Sequence, residues 1–141
     1  MVLLLDSNVL IALFDGAHMH HAGVRRWFLH HTGGFATCPI VEGALTRWIV
    51  RIEGAGGTTA AVRELRKLAA DPRHQFWPGD LDYASVRWDG VLGHRQVTDA
   101  YLAALARKHG GRLATLDRGL AALHDDVAEL ISTHSPSEDA S

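Results

Sequence analysis

Four acids in this sequence stand at positions where side chains can do chemistry. Asp6 follows the apolar run Val2-Leu3-Leu4-Leu5. Glu42 lies three residues after Pro39, Asp99 opens the stretch TDAYLAALARK, and Asp117 follows RLATL. If those acids share one crevice they repel, since two unit charges about 4 Å apart cost about 4 kcal/mol at an effective dielectric near 20. A divalent cation removes that repulsion. Oxygen ligands with no cysteine or fixed histidine cluster beside them favour Mg²⁺ or Mn²⁺ over Zn²⁺. Each acid also has an ordinary structural reading. Asp6 can be a helix N-cap or an Asx-turn. Glu42 and Asp99 can complement a helix dipole, worth about 0.3 to 1 kcal/mol each, and Asp117 before Arg118-Gly119 can be a turn residue.

Local structure places the four acids on one edge. Val2 to Leu5 is too short for a helix core and apolar on both faces, as a strand buried in a parallel sheet is. Asp6-Ser7-Asn8 then leaves the strand for a helix starting near Asn8. After a break at Asp15-Gly16, a second helix is predicted from His18 to His31, with Ala22, Trp27 and Phe28 at helical spacing. Phe35 to Cys38 reads as a second strand, and Pro39 suits the first turn of a third helix, IVEGALTRWIVRI, with Glu42 in that turn. Gly43 weakens the turn by about 1 kcal/mol relative to Ala. The glycine-rich EGAGG at 53–57 is a loop before an amphipathic fourth helix, TTAAVRELRKLAAD. HQFW at 74–77 reads as a third strand closed by Pro78-Gly79. A helix is expected around Tyr83 to Leu92, although Gly90 interrupts it. TDAYLAALARKHGG is the strongest helix, with Thr98 as N-cap, Arg107 and Lys108 in the last turn and Gly110 as stop. A strand from Arg112 to Leu116, a short helix RGLAALH and a last strand ELI complete the order. Alternating elements of this kind make an α/β sandwich with a mostly parallel sheet. Open α/β sheets bind ligands at the carboxyl ends of their strands, where these four acids fall.

Bulk properties fit one domain over residues 1–131, followed by a disordered tail at 132–141. The chain has 141 residues, 47% of them hydrophobic and 21% charged, with 14 basic and 16 acidic side chains for a net charge of −2. That balance excludes an overall positive field that would draw in nucleic acid, so any such binding needs a local patch. Lys67 and Lys108 are the only lysines; the other basic residues are arginines, suited to bidentate phosphate or carboxylate contacts. The single Cys38 excludes an intramolecular disulfide and agrees with a reducing, cytoplasmic setting. The opening apolar run lacks a cationic leader and is broken by Asp6, so no signal peptide is expected, and no apolar run is long enough to span a membrane.

The ordered set LLLDSNVLIAL, PIVEGAL, TDAYLAALA and LATLDRGL resembles the four acidic motifs of PIN-domain nucleases, especially the toxin ribonucleases of VapBC toxin–antitoxin pairs. The resemblance runs from Val2 to about Ile131. It implies a five-stranded parallel sheet flanked by helices, a Mg²⁺- or Mn²⁺-dependent endoribonuclease, an inhibiting antitoxin and a homodimer. It makes Asp6 and Asp99 the principal metal ligands, with Glu42 and Asp117 completing the quartet. Ser7, Asn8, Thr98 and Thr115 have the polar character of a supporting shell. Arg47 and Arg51, four apart on one helix, and Arg118 beside Asp117 are candidate RNA-phosphate contacts. A carboxylate-held metal acidifies water and neutralises charge on phosphoryl oxygens, the chemistry phosphodiester hydrolysis requires.

Rival readings are separated by particular residues. A haloacid-dehalogenase-type phosphatase needs Asp-x-Asp, and Asn8 stands at the second acid's place; a receiver domain needs a lysine at a later strand end. A degenerate PIN fold serving as a protein- or RNA-binding module would have shed some of the four acids. His18 and His21 have chelate spacing but no third ligand, so surface histidines are expected there. Trp27 and Trp48 lie on apolar faces and read as core, while Trp88 could stack on a base.

Overall fold

The computed structural model describes residues 1–133. Its centre is β1 (Leu3–Leu5), whose three leucines are almost wholly buried because helices cover both faces of the sheet. β1 pairs in parallel with β2 (Phe35–Thr37) on one side and with β4 (Arg112–Thr115) on the other. β3 (His74–Phe76) extends the sheet beyond β2, and β5 (Ala128–Leu130) extends it beyond β4. The order is therefore β3-β2-β1-β4-β5, with every pairing parallel, as the family resemblance implies. Right-handed crossovers put the helices between β1 and β3 on one face and those after β3 on the other. The chain reverses its direction of travel across the sheet between β1 and β4, and a crevice opens there at the carboxyl ends.

The first face carries α1 (Ser7–Phe14), α2 (His21–His30), α3 (Pro39–Glu53) and α4 (Gly57–Ala70). α1 starts at Ser7 because the Asp6 carboxylate caps it, accepting from the Ser7 N–H at 2.8 Å. α2 starts at His21, not His18, because residues 15–20 bond locally instead. There the Ala17 N–H donates to Asp15 Oδ1 and the His20 N–H donates to His18 Nδ1. α3 keeps Pro39 at its start and Glu42 in its first turn, as predicted. The helix runs unbroken through Gly43, where a Cβ would meet only the Arg47 guanidinium, at 3.6 Å. Gly57 lets α4 close on α3: a Cβ there would come within 2.7 Å of Val50 Cα. Leu45, Ile49 and Ala61 fill the seam between α3 and α4, beside the main core built on the sheet.

The second face carries α5 (Val97–Lys108) and α6 (Arg118–Leu123). Two expectations fail just before α5. No α-helix forms over 83–92; the chain makes one 3₁₀ turn at Tyr83–Ser85 and another at His94–Gln96. Gly90 sits at φ 81°, outside helical space, and of residues 83–92 only Val86 is buried to anchor a helix. Thr98 is not the N-cap of α5. The turn at 94–96 runs straight into the helix at Val97, which puts Thr98 inside the first turn. Gln96 stiffens the entry instead, its Oε1 accepting from the N–H groups of Leu92 and Gly93 at 2.6 and 3.2 Å. The predicted stop at Gly110 holds, with φ 67°.

Trp27 packs partly buried against the core, as its apolar face predicts, and Trp48 is half-buried on α3. Trp88 is exposed and stacks on Tyr83, with ring centroids 6.3 Å apart. Cys38 is buried at the start of α3, and burial pushes its thiol pKa up. Of the tail expected from Ser132, Thr133 accepts a hydrogen bond from Arg26 at 3.1 Å, and residues 134–141 lie outside the described ones.

Candidate active site

Asp6 is nearly sealed from solvent between β1 and α1, at 6% exposure. Its Oδ1 caps α1, and its Oδ2 accepts from the Thr115 hydroxyl at 2.7 Å, joining the ends of the neighbouring strands β1 and β4. The Thr115 oxygen in turn accepts from the Asp117 N–H at 3.1 Å. Asp117 caps α6, its Oδ1 accepting from the Leu120 N–H at 3.0 Å, while its carboxylate stays exposed. Asn8 closes the frame, accepting from the Leu116 N–H at 3.4 Å. Asp6 and Asp117 are thus helix caps, and the charge of Asp117 also bears on Asp6.

Asp99 lies in the first turn of α5, and its carboxyl is pushed up to about 6. Burial is the main cause, followed by the charges of Asp6 and Asp117, and no hydrogen bond or cation among the described residues offsets them. Burial likewise raises Asp6, with Asp117 adding to the rise and the Thr115 and Ser7 bonds opposing it. Three of the four predicted acids therefore feel one another: Asp6, Asp99 and Asp117. Glu42 stands to one side. Its charge bears on Cys38, which also feels Asp6, and on His74. The Thr37 hydroxyl donates to Glu42 Oε2 at 2.6 Å, and His74 Nε2 lies 2.8 Å from the same hydroxyl. Neither Thr37 nor His74 was anticipated from the sequence: Thr37 ends β2 as Thr115 ends β4, a signal available there, whereas the contact of His74 across 37 residues leaves no local trace.

The remaining predicted residues divide. Ser7 contributes its backbone N–H, while Asn8 and Thr115 brace the frame through their side chains. Thr98 is exposed in the first turn of α5. Arg47 and Arg51 lie exposed along α3, and Arg118 is exposed at the start of α6 beside Asp117. A hollow of about 230 Å³ beside Asp99 and Asp117 is also lined by Arg95, Gln96 and His124. Arg95 escaped the sequence reading, although its place four residues before Asp99 was a signal available there. A larger hollow of about 680 Å³ along α4 contains no carboxylate. His18 and His21 are each engaged locally, His21 Nδ1 lying 2.8 Å from the Ala12 carbonyl.

Among the described residues no three His, Cys, Asp or Glu side chains close into a compact metal cage. What the fold supplies is three carboxyl groups, of Asp6, Asp99 and Asp117, whose charges act on one another. Such a set suits a hard cation that keeps several of its waters and takes only one or two carboxylates, as Mg²⁺ does.

Comparison with known proteins agrees with the all-parallel α/β fold. The family model described as PIN domain matches residues 3–125. "Ribonuclease VapC29" of Mycobacterium tuberculosis is 53% identical over 134 residues, covering 94% of this chain and 98% of its own. Two solved structures share the fold. M. tuberculosis VapC20, described as a sarcin-ricin loop cleaving toxin, has a TM-score of 0.67 at 19% identity, over 87% of this chain and 95% of its own. A toxin–antitoxin complex from Klebsiella pneumoniae has a TM-score of 0.59 at 22% identity, over 85% of this chain and 90% of its own. With the acidic crevice at the switch point of an all-parallel sheet, and with likeness over almost the whole length of a relative, the chain belongs to the PIN-domain family, in its VapC-like branch.

Proposed function

We propose that this chain is an endoribonuclease, the toxin partner of a type II toxin–antitoxin pair, which hydrolyses RNA phosphodiester bonds with Mg²⁺ or Mn²⁺. The observation that carries this reading is the convergence of Asp6, Asp99 and Asp117, where burial first and then the charges of Asp6 and Asp117 push the Asp99 carboxyl up to about 6. When bound, a divalent cation balances those charges, acidifies water and neutralises charge on the phosphoryl oxygens. Asp6 and Asp99 are its principal holders, with Asp117 beside them and Glu42 at the flank.

The chain's own contribution is positioning. Thr115 and the Ser7 N–H fix the Asp6 carboxylate before any ligand arrives, so little ordering is left to be done on binding. Glu42 or Asp117 orients the attacking water. Arg118, Arg47 and Arg51, exposed on α6 and α3, are the proposed contacts to RNA phosphates, which guanidinium groups bind with bidentate hydrogen bonds. The same acidic crevice suits an arginine from an antitoxin, which would inhibit by occupying the cation's place. Likeness to a toxin–antitoxin complex supports pairing with an antitoxin, and a homodimer and a cytoplasmic location belong to the same proposal.

RNA cleavage assayed with Mg²⁺, with Mn²⁺ and with EDTA tests the proposal. Cleavage is expected only with metal, and Asp6→Asn and Asp99→Asn are each expected to abolish it. Undiminished metal-dependent cleavage by Asp6→Asn would refute the assignment. Calorimetric titration with Mn²⁺ separates the enzyme from an inactive binding module of the same fold, which would take up no metal.

A further inference from the structure

Glu42 differs from the three aspartates in what holds it. Its Oε2 is 2.6 Å from the hydroxyl oxygen of Thr37, a fully buried residue at the end of β2. That same oxygen lies 2.8 Å from Nε2 of His74, which begins the edge strand β3. A hydroxyl carries one proton, and a carboxylate only accepts. The Thr37 proton must therefore lie on the 2.6 Å contact, because pointing it at His74 would leave two acceptors facing each other at that distance. The imidazole then has to donate from Nε2 to the hydroxyl lone pair. The chain of donors is thereby ordered from His74 to Thr37 to Glu42. The parallel register makes this possible: His74 pairs with Phe35, two residues before Thr37, so both side chains emerge from one face of the sheet. The His74 ring is also braced on the Phe35 ring, with centroids 5.3 Å apart.

We infer that His74 is a positioning residue for Glu42, acting through Thr37. The relay ties Oε2 back to the sheet and leaves Oε1 outside the chain of bonds, as the oxygen that meets a cation or its water. It also fixes His74 as the Nε2–H tautomer. The inference rests on the proposed function in one respect, that Glu42 belongs to the cation site.

Two measurements on the full chain test it. The first is long-range ¹H–¹⁵N correlation of the metal-free, histidine-labelled wild type, with His74 assigned by the signal missing from His74→Gln. An Nε2–H pattern is expected. The second is calorimetric Mn²⁺ titration of the wild type, His74→Leu, His74→Gln and Thr37→Val, each checked for cooperative thermal unfolding. Outer partners of ligating groups typically change metal affinity about 10- to 100-fold, and His74 stands one bond further out, so His74→Leu is expected to weaken Mn²⁺ binding about 3- to 10-fold. The amide N–H of His74→Gln can replace the imidazole donor and is expected to restore binding. Thr37→Val combined with His74→Leu should weaken binding no more than Thr37→Val alone, since both cut one chain. An Nδ1–H pattern at His74, or equal affinity for wild type and His74→Leu, overturns the inference while leaving the cation reading intact. A wild type that binds no Mn²⁺ overturns the cation reading and, with it, the ligand that His74 positions.

Discussion

Replacing Asp99 with Asn should make the metal-free protein more stable and the metal-loaded protein less so. The carboxyl of Asp99 is raised from 3.8 to about 6 by burial and by the charges of Asp6 and Asp117. A shift of roughly two pH units corresponds to about 3 kcal/mol of preference for the neutral form. Asp99 is only partly buried, so solvent screening reduces the working figure to about 1 to 1.5 kcal/mol. The sign follows from linkage. A carboxyl whose folded pKa lies above its unfolded one binds protons more tightly when folded, so its stabilisation is full below about pH 4 and is lost as pH rises through about 6. In EDTA, thermal unfolding of wild type and Asp99→Asn should therefore coincide near pH 4. By pH 7 the gap should reach about 3 to 6 °C in favour of Asn, given the usual few degrees per kcal/mol at this size. Mn²⁺ at about 100 times its dissociation constant should then lift the wild type by about 2.7 kcal/mol and leave the variant unmoved, reversing the order. Asp6 is the wrong place for this experiment, because its carboxylate also caps α1 and accepts from Thr115. No gap at pH 7 in EDTA, or a gap of the same size at pH 4, would refute the electrostatic reasoning.

Thr115→Val removes the buried hydroxyl between Asp6 and Asp117, leaving a carboxylate and a backbone N–H each one partner short. A loss of about 2 to 3 kcal/mol is expected in urea unfolding, most of it recovered by Thr115→Ser. Arg73 forks onto Asp71, donates to the carbonyls of Phe28 and His31 and lies 4.4 Å from the Phe28 ring centre. An ammonium cannot reproduce that set, so Arg73→Lys should lower stability by about 1 to 2 kcal/mol on the same measurement, with the carboxyl edge unaffected. Gly111→Ala would put a Cβ 2.5 Å from the Val2 carbonyl oxygen and 2.8 Å from the Trp77 ring. Because one neighbour is backbone, the expected loss is about 1 to 3 kcal/mol, read as a lowered thermal midpoint.

What the sequence disclosed about the fold is what local chemistry controls. Short apolar runs bounded by Asp, Gly and Pro marked the strands, and Pro39 and Gly110 marked helix ends, because those residues restrict or release the backbone wherever they stand. The stretch from 83 to 98 was harder. Tyr83, Val86, Val91 and Leu92 offer apolar residues at intervals a helix could use, yet among them only Val86 is buried and Gly90 adopts a left-handed φ. Thr98 had a capping residue's chemistry, but the 3₁₀ turn at His94–Gln96 had already started the helix. Its position was decided by the preceding turn, which no property of Thr98 encodes.

The candidate site shows the same division more sharply. In a parallel sheet every strand delivers its next residue to one edge, so Asp6, Glu42 and Asp117 could be assigned to a common edge from their place after a strand alone. Which acids interact depends on the lateral order of strands, and that order is set by long-range packing. Because β4 inserts beside β1, Thr115 reaches Asp6 across 109 residues, and Asp6, Asp99 and Asp117 share one field. Because β2 lies on the other side of β1 and pairs outward with β3, Glu42 is held instead by Thr37 and His74. The strand order β3-β2-β1-β4-β5 thus splits the four acids into a coupled trio and a flanking glutamate. Removing one charge from the trio should therefore relieve strain in the metal-free state, whereas disturbing the flank should change only how firmly Glu42 is aimed.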